Sequence, residues 1–272
     1  MSEQHNLSHS LSEEELFTYR QHGYLIRECV FTADELADLT GSVERAVALA
    51  HAESASGNAY HLDGKRFVDI GNMTVQFEHG DKSETIRVIE PAHHLDAVLE
   101  ALVEDSRIVD PVKSIIGVDA VSIWTNKLNL KRAGEGSGFG WHQDSPYWAH
   151  DSDHVNLLPN VYLAFDDASV ENGCLRVIDK SHLRGCLPGT SDGSQLGGFF
   201  TDPACFDEKD QVLMEAPAGS LVFFDPHSIH GSEPNLSGNP RRAMVMTYQP
   251  ANFPMLKTGE VRNVGYREET AS

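Results

Sequence analysis

The sequence predicts a mainly β protein with peripheral helices, its strands forming an antiparallel sheet pair or barrel. Three observations predict this class. From about residue 119, short segments of β-branched, alternating character recur between turns, with no regular helical insertions. Before that point capped amphipathic helices dominate and few extended segments intervene. With 272 residues and 40% hydrophobic content the chain can bury one large core, and it shows no internal repeat or low-complexity tract. The expected organisation is a single domain over residues 1–272, with a helix-rich part at about 12–117 and a β core at about 119–250.

Taken in order, residues 1–11 are polar and expected to be loose. Ser12 before Glu13-Glu14-Glu15 reads as a capped helix start, with acids in the first turn, and that helix ends near Gly23. Tyr24-Leu25-Ile26-Arg27 is a short strand. Thr32 caps a second helix on which Leu36, Leu39, Val43, Ala46, Val47 and Ala50 fall near helical spacing. Arg66–Ile70 and Thr85–Ile89 read as extended around a polar turn at His79-Gly80-Asp81. Val98, Leu99, Leu102 and Val103 mark an amphipathic helix, and another from Val109 stops at Gly117. The strands expected thereafter are 121–131, 160–166, 173–178, 213–215, 219–224 and 241–249. Residues 183–211 form a long Gly-containing insertion, expected to be a lid or binding loop.

The formal net charge is -20, from 41 acidic and 21 basic residues. Such a surface repels nucleic acid and anionic membranes, while leaving room for a locally basic pocket inside an acidic shell. Cys29, Cys174, Cys186 and Cys205 are widely spaced without a C-x-x-C pair, so free thiols are expected rather than a disulfide framework or a zinc knuckle. No signal-like n- and h-regions and no membrane-length apolar run are evident, which makes a cytoplasmic setting the default expectation.

The chemistry concentrates in Gly140-Trp141-His142-Gln143-Asp144-Ser145-Pro146-Tyr147-Trp148. In an extended segment, side chains at i and i+2 leave the same face, so His142 and Asp144 can converge on one cation. Two histidines and one carboxylate, with coordination positions left open, are the ligand set of non-haem Fe(II) oxygenases. Phe224-Asp225-Pro226-His227-Ser228-Ile229-His230-Gly231-Ser232 supplies two candidates for the second histidine, His227 and His230. Arg241 opens the last strand beyond them. An enzyme using 2-oxoglutarate needs a fixed cation for the far carboxylate of that cosubstrate, and the planar fork of arginine suits it. Ser232 offers a further hydrogen bond.

These blocks together resemble the phytanoyl-CoA dioxygenase family of Fe(II)/2-oxoglutarate oxygenases. The resemblance is carried by Trp141-His142-Gln143-Asp144, Leu163-Ala164-Phe165-Asp166-Asp167, Glu171-Asn172-Gly173-Cys174-Leu175 and Ser181-His182. It continues through His230-Gly231-Ser232-Glu233-Pro234-Asn235 with Arg241-Arg242-Ala243, and includes His22-Gly23-Tyr24-Leu25 near the start. It implies a double-stranded β-helix (jelly-roll, cupin-like) core. It implies His142, Asp144 and His230 as iron ligands, with His227 set aside because the family's distal ligand precedes Gly-Ser. It further implies Arg241 with Ser232 at the far carboxylate, and Phe139 and Lys127 beside the cosubstrate. The implied reaction consumes O2 and 2-oxoglutarate, releases succinate and CO2, and hydroxylates a small molecule. Asp144 argues for hydroxylation over halogenation, because related halogenases lack this carboxylate; desaturation and ring formation, which differ only in the fate of the substrate radical, stay open beside it. Tyr162 stands where many members have tryptophan, and Asp179-Lys180 replaces a common Pro-Gly.

Two other readings compete: a cupin-like metal isomerase or hydrolase, and a non-catalytic binding module on the same fold. Arg241 with Ser232 counts against the first, and the intact ligand set against the second. The least family-like segments, 59–90, 145–156 and 183–211, are expected to form the substrate pocket, with Tyr60, His61, Arg66, Met73 and Gln76 as candidate lining residues and Tyr147 and Trp148 balanced between packing and substrate contact. His93-His94 reads as a helix-start or surface pair, His150 and His154 as solvated loop residues, and His182 as a turn-holding residue.

Overall fold

Residues 9–80 and 83–265 are described by the structure, a computed structural model. The expectation of a loose start therefore lies mostly outside the described residues, as does Asp81 of the expected turn. The opening follows the sequence signals closely. Helix α1 (Glu13–His22) starts at a capping box between Ser12 and Glu15 and ends at Gly23 with φ 83°. Strand β1 (Tyr24–Arg27) follows, and α2 (Ala33–Ser54) starts at a second capping box between Thr32 and Glu35.

Residues 58–90 form four antiparallel strands where two were expected: β2 (Asn58–Leu62), β3 (Lys65–Ile70), β4 (Met73–Phe77) and β5 (Ile86–Glu90). Asp63 and Gly64, at φ 48° and 73°, make the two-residue turn between β2 and β3; an Asp-Gly pair favours this tight hairpin turn. On β4 the buried Met73, Val75 and Phe77 alternate with half-buried Thr74 and Gln76, a period-2 signal readable in the sequence. β2 is mostly exposed and carries no such pattern.

Helices α3 (Ala97–Leu102) and α4 (Ser106–Ile116) come next, α4 ending at Gly117 with φ 81°. The remaining elements are β6 (Val121–Lys131), β7 (Phe139–His142), α5 (Ser145–Trp148), β8 (Asn160–Ala164), β9 (Leu175–Ile178) and β10 (Gln211–Met214). β11 (Leu221–Phe224), β12 (His230–Ser232), β13 (Arg241–Pro250) and β14 (Asn263–Val264) complete the chain.

Strands β6–β13 divide between two antiparallel sheets, β11-β8-β13-β6 and β10-β9-β12-β7, switching sheet at each step except between the paired neighbours β9 and β10, which is the jelly-roll core. β1 extends the larger sheet at the β11 edge, β5-β4-β3-β2 extend it beyond β6, and β14 also pairs with β6. Alternation along β13 separates two cores. Met244 and Met246 pack with Leu39, Val43 and Leu99 beneath the helices. Ala243 and Val245 pack with Leu175, Val177 and Met214 of the smaller sheet. The larger sheet is thus covered by helices on one face and by the smaller sheet on the other.

His93 and His94 open a short 3-10 helix, as the helix-start reading expects, and of the histidine expectations only that for His154 changes. His93 is buried, its Nδ1 2.8 Å from the Asn126 amide nitrogen. His154 is not a solvated loop residue: its Nε2 lies 3.1 Å from Gln249 Oε1 and its ring 4.2 Å from that of Phe253. His182 ties its turn to α1, with Nε2 3.0 Å from the Arg20 carbonyl, and His150 is exposed. All four cysteines are free. Among the described residues no helix is long and apolar enough to cross a membrane.

Candidate active site

Antiparallel pairing of β7 with β12 sets His142 directly opposite His230, with ring centroids 4.1 Å apart. Asp144 joins them by a different route from simple strand alternation. β7 ends at His142, and Asp144 has helical backbone angles (φ -78°, ψ -32°) as the residue opening α5. The turn is held by Ser145 N–H donating to the Pro226 carbonyl at 2.9 Å. Asp144 Oδ2 then lies 3.7 Å from His230 Nε2, and one donor atom from each of the three residues fits within 4.8 Å of the others.

Both imidazoles are fixed by their inner nitrogens. His142 Nδ1 lies 2.7 Å from the Gly140 carbonyl and His230 Nδ1 lies 3.0 Å from the Ser228 carbonyl. A carbonyl partner requires the proton on Nδ1, which leaves each Nε2 lone pair for a metal. Burial, then the neighbouring His230, pushes the His142 pKa down to about 3, and burial also lowers that of His230. Burial alone would raise the Asp144 carboxyl. Lys127, His230, His142 and the Asn160 amide outweigh it and hold the group below its ordinary value. The donor set is two neutral imidazoles and one carboxylate, the protonation states a divalent cation requires.

His227 is placed elsewhere. Its Nδ1 lies 2.7 Å from Ser145 Oγ and its Nε2 2.7 Å from Asn156 Oδ1, so both nitrogens are engaged by side chains. Asn160 on β8, absent from the sequence reading, donates to Asp144 Oδ2 at 2.9 Å and accepts from Thr247 Oγ1 at 2.6 Å. Asn160→Ala is expected to weaken Fe(II) binding roughly 10- to 100-fold, the range for partners that orient a metal ligand, as measured by metal titration.

The three donors sit in a cavity of about 480 Å³. Arg241, buried at the start of β13, donates Nη1 to the Tyr162 hydroxyl at 3.0 Å and Nη2 to the Gly173 carbonyl at 2.7 Å, while its Nε has no partner. Tyr162 thus braces the arginine. Ser232 and Phe139 also line the cavity. Lys127 lines it too, its Nζ 3.7 Å from Asp144 Oδ1.

Sequence reasoning missed two buried cations. Lys131 lies on the same face of β6 as Lys127 and opposite Arg241 across the strand pair. Arg87 sits where the β4–β5 register shifts, between Gln76↔Val88 and Phe77↔Ile86; the extra residue turns it toward the cavity beside Val88. Its guanidinium lies 3.9 Å from the Phe139 ring centroid and donates to the Gly138 carbonyl at 2.5 Å. The only sequence signal for either was a long apolar strand interrupted by a charge.

Of the candidate substrate-pocket residues on 59–90, Gln76 lines the cavity, whereas Tyr60, His61, Arg66 and Met73 do not. Strand alternation is the reason: Phe67 and Gln76 pair across β3 and β4 on the cavity face, which turns Arg66 and Met73 away. Tyr60 stacks on Phe67 on the outermost strand, 5.4 Å between centroids, too far out to reach the cavity. The 183–211 insertion does cover the site, contributing Leu196, Phe199 and Phe200. Phe199 stacks on Tyr147 at 4.6 Å, and Asp63 Oδ2 anchors the insertion by accepting from Leu196 N–H at 2.7 Å. Tyr147 lines the cavity, and Trp148 both lines it and packs edge-on against Trp124 at 6.4 Å.

The depressed histidines predict acid sensitivity of the metal-free protein. His142 at about 3 and His93 at about 4 lie below the ordinary 6.5. The unfolded chain binds protons there that the folded chain refuses, so stability is complete above about pH 6.5 and falls as pH drops toward 4. Thermal unfolding between pH 7.5 and 4.5 is expected to show a falling Tm; a flat profile would contradict it.

The phytanoyl-CoA dioxygenase family model matches residues 19–243. L-proline trans-4-hydroxylase of Streptomyces griseoviridis is 28% identical over 183 residues, covering 61% of this chain and 68% of that protein. Ectoine dioxygenase of Bordetella parapertussis is 28% identical over 257 residues, covering 88% and 75%. The crystal structure of EctD from S. alaskensis with 2-oxoglutarate and 5-hydroxyectoine superposes with a TM-score of 0.67 at 22% identity, covering 100% of this chain and 85% of that one, a likeness of fold. With the family's motif order spread over most of its length, this chain belongs to the phytanoyl-CoA dioxygenase family of Fe(II)- and 2-oxoglutarate-dependent oxygenases.

Proposed function

We propose that the chain hydroxylates an unactivated C–H bond of a small molecule, consuming O2 and 2-oxoglutarate and releasing succinate and CO2. In this reading His142, Asp144 and His230 hold Fe(II), and Arg241 with Ser232 holds the far carboxylate of 2-oxoglutarate. Phe139 walls the cosubstrate, and Lys127 lies beside it while neutralising Asp144. The observation that carries the reading is the pairing, in one cavity, of a tied three-donor set with a buried arginine whose Nε has no partner. The bound metal supplies the oxidising chemistry. The protein's residues orient its ligands, fix the cosubstrate and exclude water, the last through the Tyr147–Phe199 stack and Phe200 over the cavity.

A cavity of about 480 Å³ suits a small substrate, in line with relatives named for proline and ectoine. The net charge of -20 and the four free thiols support a cytoplasmic protein that does not bind nucleic acid. The retained carboxylate of Asp144 favours hydroxylation over halide transfer.

The test is anaerobic addition of 2-oxoglutarate to the Fe(II) protein. A visible metal-to-ligand charge-transfer band is expected, absent in His142→Ala, and succinate should form on admitting O2 with a suitable small molecule. No band in the wild-type protein and no succinate, coupled or uncoupled, would return the site to a metal isomerase or a binding module.

A further inference from the structure

Lys131 is completely buried and lies against the proposed carboxylate anchor without lining the cavity itself. Its Nζ is 2.8 Å from Ser232 Oγ and 3.2 Å from the Gly173 carbonyl, and it also contacts the Glu233 carbonyl. Gly173 makes this nest possible: at φ 73°, a Cβ there would sit 2.1 Å from the Glu233 carbonyl oxygen and 2.8 Å from Lys131 Nζ. The same Gly173 carbonyl accepts from Arg241, so two cross-strand cations share one oxygen.

The charges facing Lys131 come from every side of the nest. Arg241 on β13 and Arg87 on β5 are cations, and the Cys174 thiol before β9 is held neutral by burial. The Glu233 carboxylate, just after β12, is turned to Arg176 of β9 at 2.5 Å. No carboxylate among the described residues reaches salt-bridge distance of Lys131 or Arg241. Two adjacent buried cations with no counter-ion repel strongly in a low-dielectric setting, and the lysine is the one that can shed its charge. Burial first, then Arg241 and Arg87, pushes its pKa down to about 6.

The donor count makes protonation matter to Ser232. A neutral amine has two N–H groups, which serve the two carbonyls, and its lone pair then accepts the Ser232 O–H. An ammonium has three N–H groups, which serve all three oxygens. Ser232 Oγ then becomes an acceptor and its proton is free to be donated into the cavity that Ser232 lines.

Building on the proposed 2-oxoglutarate site, we propose that Lys131 is a positioning residue that takes up a proton when the far carboxylate binds and thereby turns the Ser232 hydroxyl toward that carboxylate. The carboxylate provides the missing counter-ion, so bound cosubstrate raises the Lys131 pKa. Affinity is then complete below about pH 6 and declines as pH rises above it, by at most about tenfold per pH unit. A carboxylate held by arginine alone is insensitive to pH over this range, because neither group titrates there.

The experiment is anaerobic titration of the Fe(II) protein with 2-oxoglutarate between pH 6 and 8.5, read by the charge-transfer band. Calorimetry at pH 8 in two buffers of different ionisation heat counts the protons exchanged. Wild-type protein is expected to lose affinity toward high pH and to take up close to one proton; Lys131→Met is expected to bind with a flat profile and no uptake. Ser232→Ala, which leaves the lysine in place, is expected to lose more affinity at pH 6 than at pH 8.5. A wild-type protein that binds with a flat profile and no proton uptake overturns the proposal. So does pH dependence that survives in Lys131→Met, or an equal loss at both pH values in Ser232→Ala. Absence of any band would instead refute the 2-oxoglutarate reading.

Discussion

Asp144→Ala is expected to remove Fe(II) binding and cosubstrate turnover almost entirely. Partners that only orient a metal ligand are worth roughly 10- to 100-fold in metal affinity, and Asp144 is placed to be the single anionic donor. Its loss has a second consequence. Lys127 Nζ lies 3.7 Å from Asp144 Oδ1 and has its pKa raised, despite burial, by Asp144 and Glu90. Without Asp144 that ammonium faces two neutral imidazoles and repels an incoming cation. Metal titration should show a drop well beyond 100-fold, and 2-oxoglutarate turnover should fall to background. Breaking a buried ion pair also costs about 3–5 kcal/mol, so thermal unfolding of the metal-free variant belongs beside the titration. Retention of Fe(II) affinity within tenfold of wild type would remove Asp144 from the ligand set.

Arg241→Gln is expected to raise the apparent Kd for 2-oxoglutarate by about 100-fold while leaving Fe(II) affinity near wild type. Removing one partner of a buried charged hydrogen-bond pair costs about 2–5 kcal/mol, and about 3 kcal/mol corresponds to that factor. Glutamine keeps a donor for the Gly173 carbonyl or the Tyr162 hydroxyl, the two groups that now brace the guanidinium. The split between cosubstrate and metal affinity distinguishes an anchor from a general structural defect. A change smaller than threefold would assign the far carboxylate to another buried cation, with Arg87 beside Phe139 the first to examine.

The site was legible to the extent that its residues carry their own local signal. His142, Asp144, His230, Ser232 and Arg241 fall in short blocks whose order identifies the family, and the structure gathers all five around one cavity. The capping boxes at Ser12 and Thr32 were equally local, since each joins residues three apart. Lys131, Arg87 and Asn160 were not legible. Each acquires its place from a strand that pairs elsewhere in the chain: Lys131 from Arg241, Arg87 from a register shift against β4, and Asn160 from Thr247. The candidate lining residues Arg66 and Met73 failed for the same reason. A one-residue change of facing exchanges cavity for core, and the pairing of the strands sets the facing.

By itself, the sequence determined the fold class and the family, and it singled out His142, Asp144, His230 and Arg241 as the site candidates that the structure brings to one cavity. It also separated His230 from His227 through the family pattern, and the structure supplies the physical basis by engaging both nitrogens of His227. Only the tertiary structure decided that Asp144 reaches the site from a helix start, that Asp63 anchors the expected lid insertion, and that a second buried cation stands behind Ser232. The division follows the range of the interactions. Caps, turns and motif spacing act within a few residues and can be read along the chain. Cross-strand neighbours, burial and the repulsion between Lys131 and Arg241 arise only when strands distant in sequence are laid side by side.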